Sequence, residues 1–128
     1  MIAAELGGGG GTDPIEVSHA LTGLKRCLAL TGIIKQTLPT APPSIFVETR
    51  SIADNIYAPL TGLFDRQFKA GDQIEKGQLA GYIRSLDKLD DAPVPLRFST
   101  NGHVLAHGNR GHVMRGDMLA MVVCETHI

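Results

Sequence analysis

The sequence predicts a mainly β fold built from two copies of one unit, preceded by a strand–helix segment of α/β character. Three observations predict it. Residues 58–83 (APLTGLFDRQFKAGDQIEKGQLAGYI) and 98–123 (FSTNGHVLAHGNRGHVMRGDMLAMVV) carry the same pattern twice. Within each copy, apolar residues fall on alternate positions and glycines punctuate the turns, as in short strands joined by tight connections. Residues 1–34 lack that pattern and instead show five consecutive glycines followed by helical spacing. A repeat is weighed before any other feature because it fixes the architecture.

In the two copies Gly62 matches Gly102, Gly71 matches Gly111, Ile74 falls near Val113, Gly77 matches Gly116, and Leu79-Ala80 matches Leu119-Ala120. The offset is forty residues until one residue drops out before the last glycine. Each unit reads as strand, glycine turn, second strand, then G-[DH]-x-[IV]-x-x-G-x-x-[LM]-A. Gly71, Gly77, Gly111 and Gly116 are expected at positive φ, which other residues adopt at a steric cost. The expected core is Phe64, Phe68, Ile74, Leu79, Tyr82, Ile83, Phe98, Val104, Leu105, Val113, Leu119 and Val122, with Tyr57 and Cys124 packed beside it. This layout resembles the flattened barrel of the lipoyl and biotinyl carrier domains, the barrel-sandwich hybrid.

Composition removes several classes. At 128 residues and a net charge of −1, with no run of Lys or Arg longer than two, the chain lacks the basic stripe of a nucleic-acid surface. No apolar run is long enough for a membrane span, and no secretory signal opens the chain, so it is expected to be cytoplasmic. Cys27 and Cys124 have no C-x-x-C spacing and read as two buried thiols in a reducing compartment.

Taken in order, residues 1–34 read as strand, glycine loop and helix. Met1–Leu6 is apolar except for Glu5, and Gly7–Gly11 follow. Thr12 or Asp13 suits a helix N-cap, Pro14 the first turn, and Gly32 the C-terminal stop. A glycine loop ahead of a helix can cradle phosphate, but no Lys-Ser/Thr follows and the G-x-G-x-x-G spacing is absent. Glu5 is the residue to explain. A carboxylate in an apolar strand is costly to desolvate unless paired or protonated. A general base that becomes a general acid beside a metal-bound water is one setting that meets those conditions, and an exposed terminal Glu is the plain alternative.

Ala4-Glu5-Leu6-Gly7-Gly8-Gly9-Gly10, Pro14, and the helix ending Leu28-Ala29-Leu30-Thr31-Gly32-Ile33-Ile34 resemble the end of the catalytic domain in the succinylglutamate desuccinylase/aspartoacylase family. Tyr57-Ala58-Pro59 through Gly62-Leu63-Phe64 resembles the opening of that family's closing β domain. The resemblance implies a zinc-dependent amidohydrolase that removes an acyl group from an N-acyl amino acid or related amide. Glu5 would be its catalytic general base and acid, and the β domain would shape the active-site entrance. It also implies that residues 1–34 end a catalytic α/β domain of zinc-peptidase type, residues 35–44 form a proline-rich linker, and residues 45–128 form the C-terminal β domain. One departure matters. The family's H-x-x-E pair and later histidine are absent, since His19, His103, His107, His112 and His127 are not so spaced. The chain is therefore expected to be a C-terminal portion, inactive alone, with zinc and its ligands belonging to a parent protein. The rest of the catalytic domain would be its partner, N-acyl amino acids the parent's substrates, and homo-oligomer formation is left open.

Residues 45–52 (IFVETRSI) read as the first strand of the β domain. Between the repeats, Asp87-Lys88-Leu89 lies where a lipoyl carrier holds its modified lysine. The connection is longer than a tight hairpin and there is no Met-Lys-Met, so Lys88 reads as a solvated loop lysine. A non-enzymatic carrier or interaction domain is the alternative function. His103 and His107, four apart on a strand, are expected to share a face. With His112 they lack the carboxylate or thiolate support of a zinc site and read as edge histidines.

Overall fold

The computed structural model describes residues 13–37, 39, 40 and 43–126. These fall into two compact units divided between Pro43 and Ser44. The strand and glycine loop expected over residues 1–11, Glu5 among them, lie outside the described residues, as does His127.

In the first unit, helix α1 runs from Pro14 to Leu30. Asp13 caps it by accepting the Ile15 N–H at 2.7 Å, and Pro14 occupies the first turn, where its missing N–H costs nothing. The helix ends as the glycine predicts. Gly32 has φ +76°, the Ile33 N–H reaches back to the Leu28 carbonyl at 2.9 Å, and the Gly32 N–H reaches the Ala29 carbonyl at 3.0 Å. This pair of bonds satisfies carbonyls that the last helical turn leaves open. The helix buries none of its residues within the described structure, and Val17, Leu21 and Leu24 stand exposed at helical spacing.

The second unit is antiparallel throughout. Its strands are β1 (Val47–Glu48), β2 (Ile56–Tyr57), β3 (Gly62–Arg66), β4 (Gln73–Ile74), β5 (Leu79–Arg84), β6 (Val94–Arg97), β7 (Gly102–His107), β8 (His112–Val113) and β9 (Met118–Glu125). One sheet has the order β6-β5-β3-β8; the other has β1-β9-β7-β4, with β2 also on β9. β3 and β5 come from the first repeat and β7 and β9 from the second. Each pair is flanked by a short strand of the opposite repeat, so β8 joins β3 and β4 joins β7.

The hydrogen bonds between the halves are duplicated. The Gly77 N–H donates to the Phe98 carbonyl and the Phe98 N–H to the Gln78 carbonyl; Gly116, Ala58 and Asp117 repeat both bonds. The Lys76 N–H donates to Asn101 Oδ1 at 2.7 Å, and the Arg115 N–H to Thr61 Oγ1 at 3.1 Å. Each turn is thus closed by a side chain of the other half. At the base of each first strand a glycine is required by space. A Cβ on Gly62 would lie 2.0 Å from the Arg84 carbonyl oxygen, and one on Gly102 would lie 2.3 Å from that of Val123.

The dropped residue falls earlier than the glycine spacing suggests. The Phe64 N–H donates to the Gly111 carbonyl, and its counterpart Val104 donates to Asp72, so Gly111 matches Asp72 rather than Gly71. Accordingly Gly71, Gly77 and Gly116 have positive φ, whereas Gly111 does not.

Eight of the expected core residues are buried: Phe68, Ile74, Ile83, Phe98, Val104, Val113, Leu119 and Val122. Phe64 packs against them half-buried, and Leu79 is also half-buried. Tyr82, Leu105 and Tyr57 are corrections, at 37%, 51% and 40% exposed. Tyr82 alternates with buried Ile83 and so takes the outer face. Leu105 sits at a β-bulge between Val104 and Ala106, which removes it from the inward alternation. Ala58, Ala80 and Ala120 fill the core instead, their small side chains fitting where the sheets approach. The first strand is shorter than expected. Only Val47–Glu48 pair with β9, and residues 52–54 form a 3-10 turn. Next to the irregular pairing of β2 with β9, Asn55 Oδ1 accepts the Val122 N–H at 2.9 Å.

Gly62→Ala is expected to cost about 2–3 kcal/mol, because the new methyl displaces backbone. Gly108→Ala, with its nearest non-neighbour atom 3.6 Å from a Cβ, is expected to cost far less. The shift in urea midpoint at constant m-value measures the difference.

Candidate functional site

The residues singled out by sequence do not converge within the β unit. Lys88 lies in the nine residues 85–93 that connect β5 to β6, and it is exposed. Ile83 pairs with Val94, so this connection is the tip of a hairpin. The Asp87 N–H bonds to Ser85 Oγ and the Asp91 N–H to the Lys88 carbonyl, giving the loop local turns rather than a tight two-residue bend.

The histidines separate. His103 Nε2 bonds to Glu125 Oε1 at 2.8 Å across β7 and β9. They border an open groove of about 310 Å³ with Arg50, Gln73, Asn101, Gly102 and Cys124. His107 instead packs edge-on against buried Phe68, with ring centroids 6.1 Å apart. The shared face expected from their spacing is lost because the bulge at Leu105 adds a residue between them and shifts the alternation. His112 is exposed on β8, opposite Leu63 of β3.

Among the described residues no group of three or more His, Cys, Asp or Glu side chains could hold a metal. The donor set of this β unit therefore does not fit a zinc centre, which takes three or four converging ligands. Both cysteines are free; Cys124 is buried, its thiol directed at the Asn101 carbonyl at 3.4 Å, while Cys27 is half-buried. No helix among the described residues is long and apolar enough to cross a membrane.

Sequence reasoning passed over two arginines. Arg66 Nη1 donates to His107 Nδ1 and, at 3.4 Å, to the Gly108 carbonyl, while its guanidinium carbon lies 5.8 Å from the Phe68 ring centroid. With Phe64, Gly108, Asn109, Arg110 and Gly111, Arg66 lines a groove of about 190 Å³. The signal for it was available: Arg110 stands in the second turn next to Gly111, the position at which the first repeat carries Asp72.

If Lys88 were a carrier lysine, the chain expressed beside lipoyl and biotinyl ligases would gain the cofactor's mass there. Intact-mass measurement is expected to show none.

No family profile matches the chain. A curated relative, N-alpha-acetyl-L-2,4-diaminobutyric acid deacetylase of Halomonas elongata, is 25% identical over 95% of this chain and 36% of its own length. A succinylglutamate desuccinylase/aspartoacylase structure from Rhodobacter sphaeroides is 28% identical, with a TM-score of 0.75, covering 91% of this chain and 38% of that one. The product-bound ectoine utilization protein EutE (DoeB) from Ruegeria pomeroyi is 27% identical, with a TM-score of 0.73, covering 94% and 37%. The chain thus spans less than two-fifths of the length of these relatives, and over nearly its whole extent it is similar to proteins of the succinylglutamate desuccinylase/aspartoacylase family. The first two of these relatives are deacylases by name.

Proposed function

We propose, from this kinship with deacylases, that the chain is the C-terminal portion of a zinc-dependent amidohydrolase acting on an N-acyl amino acid or related amide. The observation that carries the reading is the agreement of sequence and fold with such enzymes over 91–95% of the chain. In this reading residues 1–34 end the catalytic α/β domain, residues 35–44 link it to the β domain, and residues 45–128 adopt a barrel-sandwich hybrid that narrows the entrance to the active site. Two features of the described structure support the division. The apolar residues Val17, Leu21 and Leu24 of α1 are exposed, as expected of a helix whose sheet is supplied by the rest of the catalytic domain. The duplicated bonds between the repeats match the two-fold plan of the hybrid.

Glu5 takes the role of acid–base carboxylate, removing a proton from the attacking water and delivering it to the leaving amine. When bound, zinc would polarise the scissile carbonyl and lower the pKa of water. Among the described residues of the β unit no such ligand group converges, so this reading places the ligands upstream in the parent. An N-acetylated amino acid is the substrate class suggested by the name of the Halomonas elongata relative, and a soluble cytoplasmic enzyme is the proposed setting.

The test is the reading frame upstream of Met1. It is expected to encode H-x-x-E and a later histidine, and the protein carrying both parts is expected to bind zinc and release amine from N-acetyl amino acids. There Glu5→Gln should lower kcat by about 10²–10⁴-fold, the usual scale of general acid–base catalysis, while zinc content stays unchanged. The 128-residue chain alone should be inactive. A full-length protein with unaltered turnover after Glu5→Gln would refute the assignment.

A further inference from the structure

We propose that the groove between Arg66 and the turn Gly108–Gly111 binds a small carboxylate, a role independent of the deacylase reading. The two halves of the β unit supply the argument, because one of them already contains the anion. In the first repeat, Asp72 ends the turn after β3, and its Oδ2 accepts the Lys69 N–H at 2.7 Å, closing the turn with a carboxylate from within. Its counterpart in the second repeat is Gly111, fixed as such by the matched bonds from Phe64 and Val104. The carboxylate is missing there, and the turn that lacks it carries a cation instead.

The cations are suited to replace what the turn has lost. Arg66 lies beside the Phe68 ring, His107 and the Gly108 carbonyl, which places one guanidinium at the groove. Arg110 lines the same groove of about 190 Å³, which no carboxylate borders. The ion pair of Arg50 with Glu48 and the hydrogen bond of His103 with Glu125 use neither arginine. Asp65, beside Arg66 on β3, takes a bond from Gln67 instead. The two guanidiniums and the apolar edge of Phe64 together match a carboxylate on a short carbon chain.

The geometry also provides its own control. Gly111 does not have positive φ, and a Cβ there would meet only Leu63 Cδ1 at an ordinary 3.5 Å. Gly111→Asp therefore restores to the second turn the carboxylate that Asp72 gives the first, without strain or clash. The experiment titrates the 128-residue chain with malonate, following backbone amide resonances at constant ionic strength, with chloride and phosphate as comparison anions. Saturable shifts are expected at Gly108, Asn109, Arg110 and Gly111 with malonate. Arg110→Ala and Arg66→Gln should each weaken binding about tenfold, the scale of one charge-assisted hydrogen bond. Gly111→Asp should abolish it while the remaining spectrum stays that of the folded protein. Shifts that rise linearly and equally with chloride, saturation by phosphate alone, or undiminished malonate binding in Gly111→Asp would each overturn the proposal. Should Arg66→Gln unfold the chain, Arg110→Ala and Gly111→Asp decide it.

Discussion

Turn amides are obligatory donors, and in this β unit each repeat relies on the other to accept them. Gly77 gives its N–H to Phe98 of the second repeat, and Gly116 gives its N–H to Ala58 of the first. Asn101 and Thr61 close the neighbouring amides of Lys76 and Arg115 in the same crosswise manner. The glycines at 62 and 102 let the strands come close enough for the exchange, since a methyl at either would occupy the place of a carbonyl oxygen. A single repeat would leave its turns open and one face of its strands wet. The rest of the unit, including the alanines at 58, 80 and 120 that fill its centre, depends on the halves being interlocked.

Interlocking has a consequence for function. Loops carried on a scaffold of this kind hold their geometry, and they can differ between the halves without disturbing the core. The hairpin tip at 85–93 and the arginine-bearing turn at 108–111 are where the two-fold pattern is broken, by length in one case and by the exchange of Asp72 for Gly111 in the other. In the proposed deacylase reading, the unit as a whole would sit at the mouth of an active site built by the rest of the parent. The exposed stripe on α1 fits a helix that completes a larger α/β layer.

Much of this was legible in the sequence. The repeated glycines and alternating apolar residues gave the β class, and Asp13, Pro14 and Gly32 marked both ends of α1. What was missed has physical causes. Glycine identity alone aligned Gly71 with Gly111, but only backbone pairing distinguishes a turn glycine with positive φ from one that stands in for a side chain. Leu105 and the relation of His103 to His107 were misjudged because a β-bulge cannot be read from spacing. Ala80 and Ala120 were matched in the repeat but left out of the expected core, because small residues become core only where two sheets meet closely. Residues 45–52 look like one strand by composition, yet only Val47 and Glu48 find a partner on β9. Glu5 was singled out by its chemistry in an apolar stretch and by family resemblance; it lies outside the described residues, and its role rests on the kinship.

Interlocked by these crosswise bonds, the two repeats are expected to behave as one cooperative body. Native-state amide hydrogen exchange tests this most directly, because crosswise bonds can open only when both halves part. The amides of Gly77, Gly116, Phe64 and Val104 are expected to exchange with the same opening free energy, equal to that of global unfolding. Protection of one set with rapid exchange of the other, the halves opening separately, would contradict it.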